Sequence, residues 1–262
     1  MCPIKELNYF AKDIKSENFR KEYYNDTYLD IKKYIKSGMK KTIPMAFVEN
    51  LEDYESLFSN VRNEKAIGES SISYLYSKVA AKEIFKFNPK AKIIIILRNP
   101  LERAFSHYLM DLKHGYASGS FIEEIKKDQI RERKGWGISN LYIELGKYEE
   151  QIKRFTKIFP KEQILLLNFD DLKKNNKKLI RRVFNFLNID QNVKIDLDEI
   201  HNKSKVPKNN FVKGIMKIRP LRKILRKMPN KFKLYFENRF FSDKNNPKLT
   251  EEDREFMNKY YL

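Results

Sequence analysis

Residues Lys92 to Tyr108, KIIIILRNPLERAFSHY, hold a strand, a sharp turn and the start of a helix in one short window, and they decide the fold. Ile93 to Leu97 is an unbroken apolar, mostly β-branched run, the pattern of a strand buried on both faces in a parallel sheet covered by helices. Asn99 fits a helix N-cap. Pro100 falls at the first helical position, and Glu102, three residues after Asn99, can close a capping box. Behind the cap, Leu101, Phe105, Tyr108, Leu109 and Leu112 recur at helical spacing and give the helix one apolar face for the sheet.

Arg98 is the odd residue. It sets a fixed positive charge at the positive end of the helix dipole, which disfavours cations by up to ~1 kcal/mol. Either a nearby Asp or Glu pairs with it, or an anionic ligand does. In open α/β sheets ligands bind beyond the carboxyl ends of strands, where Arg98 lies, and a guanidinium suits a phosphate bidentately. Ser106, two turns into the helix, can add a hydroxyl.

The run Arg98-Asn-Pro-Leu-Glu-Arg103-Ala-Phe-Ser106-His-Tyr resembles the 3'-phosphate-binding motif of sulfotransferases, enzymes that use 3'-phosphoadenosine 5'-phosphosulfate. The resemblance implies that Arg98 and Ser106 hold the 3'-phosphate and that Arg103 braces the turn. It also implies an α/β fold of the P-loop NTPase-like kind, a parallel sheet flanked by helices, with the nucleotide as co-substrate and no metal. Sulfotransferases of the heparan-sulfate type carry a Lys-Glu-x-x-Phe-Phe segment, which Lys5-Glu6-Leu7-Asn8-Tyr9-Phe10 resembles with Tyr for the first Phe. By that resemblance Glu6 is the base that takes the acceptor hydroxyl's proton, and Lys5 and Asn8 are substrate-binding candidates, Asn8 standing where the family often has His. Ala66 to Ser71, AIGESS, reads as a short strand ahead of a helix from Ser73 or Tyr74 to Phe87. It resembles the family's Gly-Glu-x-Ser-Pro-x-Tyr segment near the acceptor, which makes Glu69, Ser70 and Ser71 substrate-binding candidates; a helix cap is the other reading of Ser71.

Family members begin with a strand and a Pro-Lys-x-Gly-Thr-Thr loop for the 5'-phosphosulfate, and no such stretch occurs in the 262 residues. The expectation is therefore that the first βα unit is missing, and that residues 1–262 alone are aggregation-prone and inactive.

Composition sets wider bounds. A chain of 262 residues suffices for one α/β domain, 1–262, around one core. The single cysteine, Cys2, excludes an internal disulfide and a cysteine zinc site and suits a reducing cytoplasm. No apolar run is long enough for a membrane span, and no signal peptide is visible. A net charge of +19 raises nucleic acid and anionic membranes as partners. Most lysines are dispersed, but Lys203 to Lys233 is rich in Lys and Arg and has no acid. Its apolar residues, among them Val212, Ile215, Leu221 and Leu225, suit basic amphipathic helices that either lie on an anionic membrane surface or close over the nucleotide. Stacking aromatics interleaved with Arg are not apparent there, which argues against nucleic acid.

Elsewhere the pattern is helical at Phe19 to Tyr28, Leu51 to Phe58, Phe121 to Ile130 and Ser139 to Phe159. Gln163 to Phe169 reads as a buried strand followed by a helix to Leu187, and Thr250 as the cap of the last helix. Gly146-Lys147-Tyr148 resembles a family stretch in which Tyr148 touches the nucleotide, and His201-Asn202-Lys203-Ser204 one that closes on it, which adds Lys203 and Ser204. Trp136, between two glycines, suits either stacking on a base or sugar or packing. The expected function is sulfuryl transfer to a hydroxyl of a carbohydrate or glycolipid by a cytoplasmic protein, peripheral to the membrane if 203–233 binds one. The competing readings are an inactive truncated domain and a non-catalytic basic protein that binds a membrane or nucleic acid.

Overall fold

The computed structural model describes residues 2–193, 206–209, 212, 214, 228–244 and 246–261. Lys203, Ser204 and most of the basic 203–233 segment lie outside the described residues. In chain order the elements are β1 (Ile4–Glu6), α1 (Lys21–Thr27), α2 (Ile31–Lys36), β2 (Ile43–Met45), α3 (Leu51–Ser56), α4 (Ser73–Tyr76), α5 (Ala80–Phe87), β3 (Ile93–Leu97) and α6 (Pro100–His114). They continue with α7 (Phe121–Gln129), α8 (Tyr148–Thr156), β4 (Ile164–Asn168), α9 (Phe169–Lys174), α10 (Asn176–Leu187), β5 (Val206–Pro207), α11 (Asn230–Phe240), β6 (Phe241–Ser242) and α12 (Glu251–Tyr261). Alternating strands and helices with parallel pairing make this an α/β protein. Ile4 and Glu6 of β1 are in register with Ile43 and Met45 of β2, and β3 runs parallel to β4 from Ile93 beside Ile164 to Leu97 beside Asn168. A short antiparallel pair joins β5 to β6.

The chain forms two compact units. The first holds residues 1–97, 133–141 and 148–195. Its core gathers Ile4, Leu7, Tyr9, Phe10, Tyr54, Leu57, Ile84, Ile95, Phe155 and Phe159. Within it Tyr9 stacks on Tyr54 at 4.3 Å, and Phe10 meets the same ring edge-on at 5.3 Å. The second holds residues 98–132, 142–147 and 196–262. There the apolar stripe of α6 (Leu101, Ala104, Tyr108, Leu109, Leu112) packs with Phe121 and Ile125 of α7, Tyr142, Ile143, Val206 and Met257. Thr250 caps α12, its Oγ1 accepting from the Asp253 N–H at 3.1 Å.

Several sequence expectations are corrected. The Ile93–Leu97 strand is covered on one face only: Ile95 is buried, whereas Ile94 and Ile96 are 36% and 48% exposed. A run of five apolar residues does not reveal which face a neighbour covers. Ala66 to Ser71 forms no strand. The helix read from Ser73 to Phe87 breaks in two because Ser77 turns its Oγ to the N–H groups of Val79 and Ala80 and donates to Asp13. From Ser139 to Phe159 the α-helix covers only Tyr148–Thr156. Leu141 takes a left-handed φ of 55°, which ends any helix there. In the second unit, Tyr261 donates to the carbonyls of Tyr142 and Ile143. A Cβ at Gly146 would lie 2.5 Å from the Tyr261 hydroxyl, so only glycine permits that approach.

Candidate active site

In β1 the pleat alternates, with Ile4 and Glu6 buried and Lys5 exposed. Glu6 is only 9% exposed, and its Oε2 is buried without a hydrogen-bond partner among the described residues. Burial pushes the Glu6 carboxyl above the usual carboxylate range; the Lys5 charge and the Ile72 backbone N–H act in the opposite direction. A buried carboxylate oxygen with a free lone pair and a raised pKa has the properties of a general base.

The chain immediately beyond Glu6 is clamped. Asn8 has a left-handed φ of 56°, and its Nδ2 donates to the carbonyls of Glu6 (3.2 Å) and Ala46 (2.8 Å) while its Oδ1 accepts from Ser73 at 2.5 Å. Its backbone N–H donates to Ser71 Oγ at 3.0 Å, and Ser71 donates in turn to Glu69 Oε2 at 3.0 Å. On the other side of Tyr9, the Phe10 N–H donates to the Tyr74 hydroxyl, which donates to Glu69 Oε1 at 2.5 Å. Glu69 thus ends two relays that hold the main chain at Asn8 and Phe10. Burial pushes the Glu69 carboxyl up, and the bonds from Tyr74 and Ser71 oppose it. Of the candidates near Glu6, the first unit brings Asn8, Glu69 and Ser71 into one network, leaves Ser70 exposed and turns Lys5 to the opposite face of β1. Ser73 and Tyr74, which complete the network, were missed in the sequence. Polar side chains opening a helix after a Gly-Glu turn are the signal that marks them.

In the second unit, Asn99 Oδ1 accepts from the N–H groups of Leu101 and Glu102 and starts α6 as expected. Glu102 does not close a capping box. Its Oε2 instead accepts from Arg98 Nε and Nη2, both at 3.2 Å. Glu102 and Ser106, one turn apart on α6, lie beside its buried stripe, and Arg98, which precedes the N-cap, reaches them through its bonds to Glu102. Arg103 donates to the Tyr142 carbonyl, tying α6 to the segment that Tyr261 also holds. Tyr148 opens α8 in the first unit and is half-buried. Among the described residues no group of three or more His, Cys, Asp or Glu is placed to hold a metal ion, and no helix is long and apolar enough to cross a membrane.

A family model described as "Sulfotransferase domain" matches residues 74–262, a span that includes Arg98 and Ser106 and begins after Glu6. The bifunctional heparan sulfate N-deacetylase/N-sulfotransferase 1 of Caenorhabditis briggsae is 25% identical over 150 residues, 55% of this chain and 17% of that protein. Carbohydrate sulfotransferase 15 of Mus musculus is 29% identical over 121 residues, 40% of this chain and 22% of that protein. The chain therefore spans about a fifth of the length of these curated relatives. Among solved structures, a sulfotransferase from Alicyclobacillus acidocaldarius is 27% identical with a TM-score of 0.59, covering 76% of this chain and 75% of that one. The family model covers well over half of the chain and includes the strand-to-helix turn on which the fold turns, and the chain belongs to the sulfotransferase family.

Proposed function

We propose that this chain transfers a sulfuryl group from 3'-phosphoadenosine 5'-phosphosulfate to a hydroxyl of a carbohydrate, free or in a glycolipid, with Glu6 as the general base. The observation that carries the reading is the buried Glu6 Oε2, which accepts no hydrogen bond among the described residues and belongs to a carboxyl shifted upward by burial. Family membership and the carbohydrate acceptors that the relatives' names carry support the reaction class.

The nucleotide supplies the activated sulfuryl group. Arg98 and Ser106 fit its 3'-phosphate, since a forked cation and a hydroxyl on one side of a helix start suit a dianion where the helix dipole also favours negative charge. Tyr148, Lys203 and Ser204 complete the nucleotide side of this reading, and Lys5, Asn8, Glu69, Ser70 and Ser71 the acceptor side. Asn8, Ser71 and Glu69 act there by fixing the turn beyond Glu6. Glu6 Oε2 takes the hydroxyl proton as the acceptor oxygen bonds to sulfur, and adenosine 3',5'-bisphosphate departs with the electrons of the broken bond. Positioning and charge stabilisation supply most of the acceleration in such transfers. The test is label transfer from radioactive donor to a panel of unsulfated oligosaccharides. Transfer that is abolished in Glu6→Gln supports the reading, and nucleotide binding without transfer to any panel member overturns it.

A further inference from the structure

Trp136 is the only tryptophan in the chain, and two independent paths within the first unit lead from it to Glu6. Along the first, its indole N–H donates to the Tyr23 hydroxyl at 2.9 Å, and Tyr23 donates to Met45 Sδ at 3.4 Å. Met45 is the β2 residue in register with Glu6, and parallel register partners project to the same side of the pair. Along the second, Trp136 lies against Tyr76 with ring centroids 5.9 Å apart. Tyr76 ends α4, one helical turn or ~6 Å beyond Ile72, whose backbone N–H is close enough to the Glu6 carboxyl to favour its charged form.

The parts of this wall are fixed in place. Gly137 has a φ of 72°, and a Cβ there would lie 2.5 Å from the Phe19 ring and 2.8 Å from Tyr23. Its carbonyl accepts from the Arg20 N–H at 2.9 Å. Arg154 donates to the carbonyls of Leu75 and Tyr76 and so ties down the end of α4. Trp136 is nevertheless only half-buried, and Ile72 is 67% exposed. A half-open aromatic ring whose polar edge is already hydrogen-bonded offers an apolar face, which suits the C–H face of a sugar ring better than a charged group.

The geometry points to Trp136, with Tyr76 and Ile72, as an acceptor subsite that seats a sugar ring beside the hydroxyl presented to Glu6. This rests on the carbohydrate reading above. The experiment uses the full chain with a desulfated heparan oligosaccharide as probe, together with any oligosaccharide of the panel that the chain sulfates. Saturable change of Trp136 emission is expected on adding the oligosaccharide. Trp136→Ala should raise KM for it ~10-fold, the scale of one aromatic contact, with kcat within about twofold. Trp136→Phe should restore most of the loss. Tyr76→Leu, which keeps bulk at the α4 end, should raise KM in the same direction and leave affinity for adenosine 3',5'-bisphosphate unchanged. Turnover by the wild type with constant emission and unchanged KM in Trp136→Ala overturns the subsite alone. Absence of turnover with every acceptor overturns the carbohydrate reading and this inference with it.

Discussion

Arg98 lies just ahead of the α6 N-cap and Glu102 in the first turn of the helix, and two guanidinium nitrogens of Arg98 donate to the same Glu102 oxygen at 3.2 Å. Both side chains are partly exposed, so the pair is worth only ~0–1 kcal/mol. A charged hydrogen bond to phosphate contributes ~1.5–3 kcal/mol, so a 3'-phosphate can displace the carboxylate. Arg98→Ala should therefore weaken adenosine 3',5'-bisphosphate by roughly 10- to 100-fold and affect adenosine 5'-phosphate much less. Calorimetry giving equal losses for both nucleotides would remove Arg98 from the 3'-phosphate.

The same pair makes an opposite prediction for its other half. Glu102 competes with the nucleotide for Arg98, and Glu102→Gln should tighten adenosine 3',5'-bisphosphate by up to ~5-fold at low salt, with the gain shrinking as salt screens the charges. Weaker binding in Glu102→Gln would mean that Glu102 holds Arg98 in its binding posture.

Glu6→Gln tests chemistry and stability together. Turnover should fall ~100-fold or more with nucleotide affinity little changed, the signature of a group that acts in the chemical step. Because the folded pKa of Glu6 is raised, the folded state binds its proton more tightly than the unfolded chain does. The contribution of Glu6 to wild-type stability is then fully present below the unfolded carboxyl pKa, ~4.3, and is lost as pH rises through the raised folded value. Glu6→Gln should therefore melt higher than wild type at neutral pH, by a margin that closes on acidification. The acid limb of the rate profile should lie above the ordinary carboxylate range and disappear in the variant. A margin independent of pH would show that Glu6 is not ionised against a burial penalty.

Local signals made the strand-to-helix turn at Leu97–Pro100 legible in the sequence, because an N-cap Asn, a following Pro and an apolar helical stripe act over a few residues. That an acid pairs with Arg98 is one of two readings the sequence leaves open, but Glu102 itself reads as half of a capping box, and its i,i+4 spacing to Arg98 is the signal that reading passes over. Hydrogen bonds that span more than sixty residues were not legible. Asn8 reads as a ligand candidate by its place in a motif, yet its side chain is bonded to Glu6, Ala46 and Ser73. Tyr9 and Phe10, equally part of that motif, lie in the aromatic core against Tyr54. The helix expected across Ser139–Phe159 failed because Leu141, Tyr142 and Ile143 are all buried in succession, which no single helical face allows.

The Glu69 relays predict a graded series. Tyr74→Phe leaves one buried Glu69 oxygen without its donor, which costs ~1–3 kcal/mol, and frees the main chain at Phe10. Ser71→Ala releases the Asn8 N–H in the same way. If the relays serve to position Glu6, both variants should lower kcat more than they change affinity for the nucleotide, and Glu69→Gln should fall between them and wild type. Loss of thermal stability with kcat intact would confine the network to folding.

The exposed face of β3 makes a prediction about association. Ile94 and Ile96 point to solvent, and among the described residues β3 pairs only with β4, so its other edge presents unpaired N–H and C=O groups next to apolar side chains. An exposed, apolar strand edge is a template for pairing with another chain. The chain should therefore self-associate with rising concentration, and Ile96→Lys should suppress this without lowering the melting temperature, since Ile96 is 48% exposed. A lysine on an edge strand adds charge repulsion between copies and keeps the strand's own pairing with β4 intact. Light scattering would show the difference directly. Equal association in wild type and Ile96→Lys would place the sticky surface elsewhere, whereas loss of the monomer's folding transition would mean that Ile96 is covered in solution.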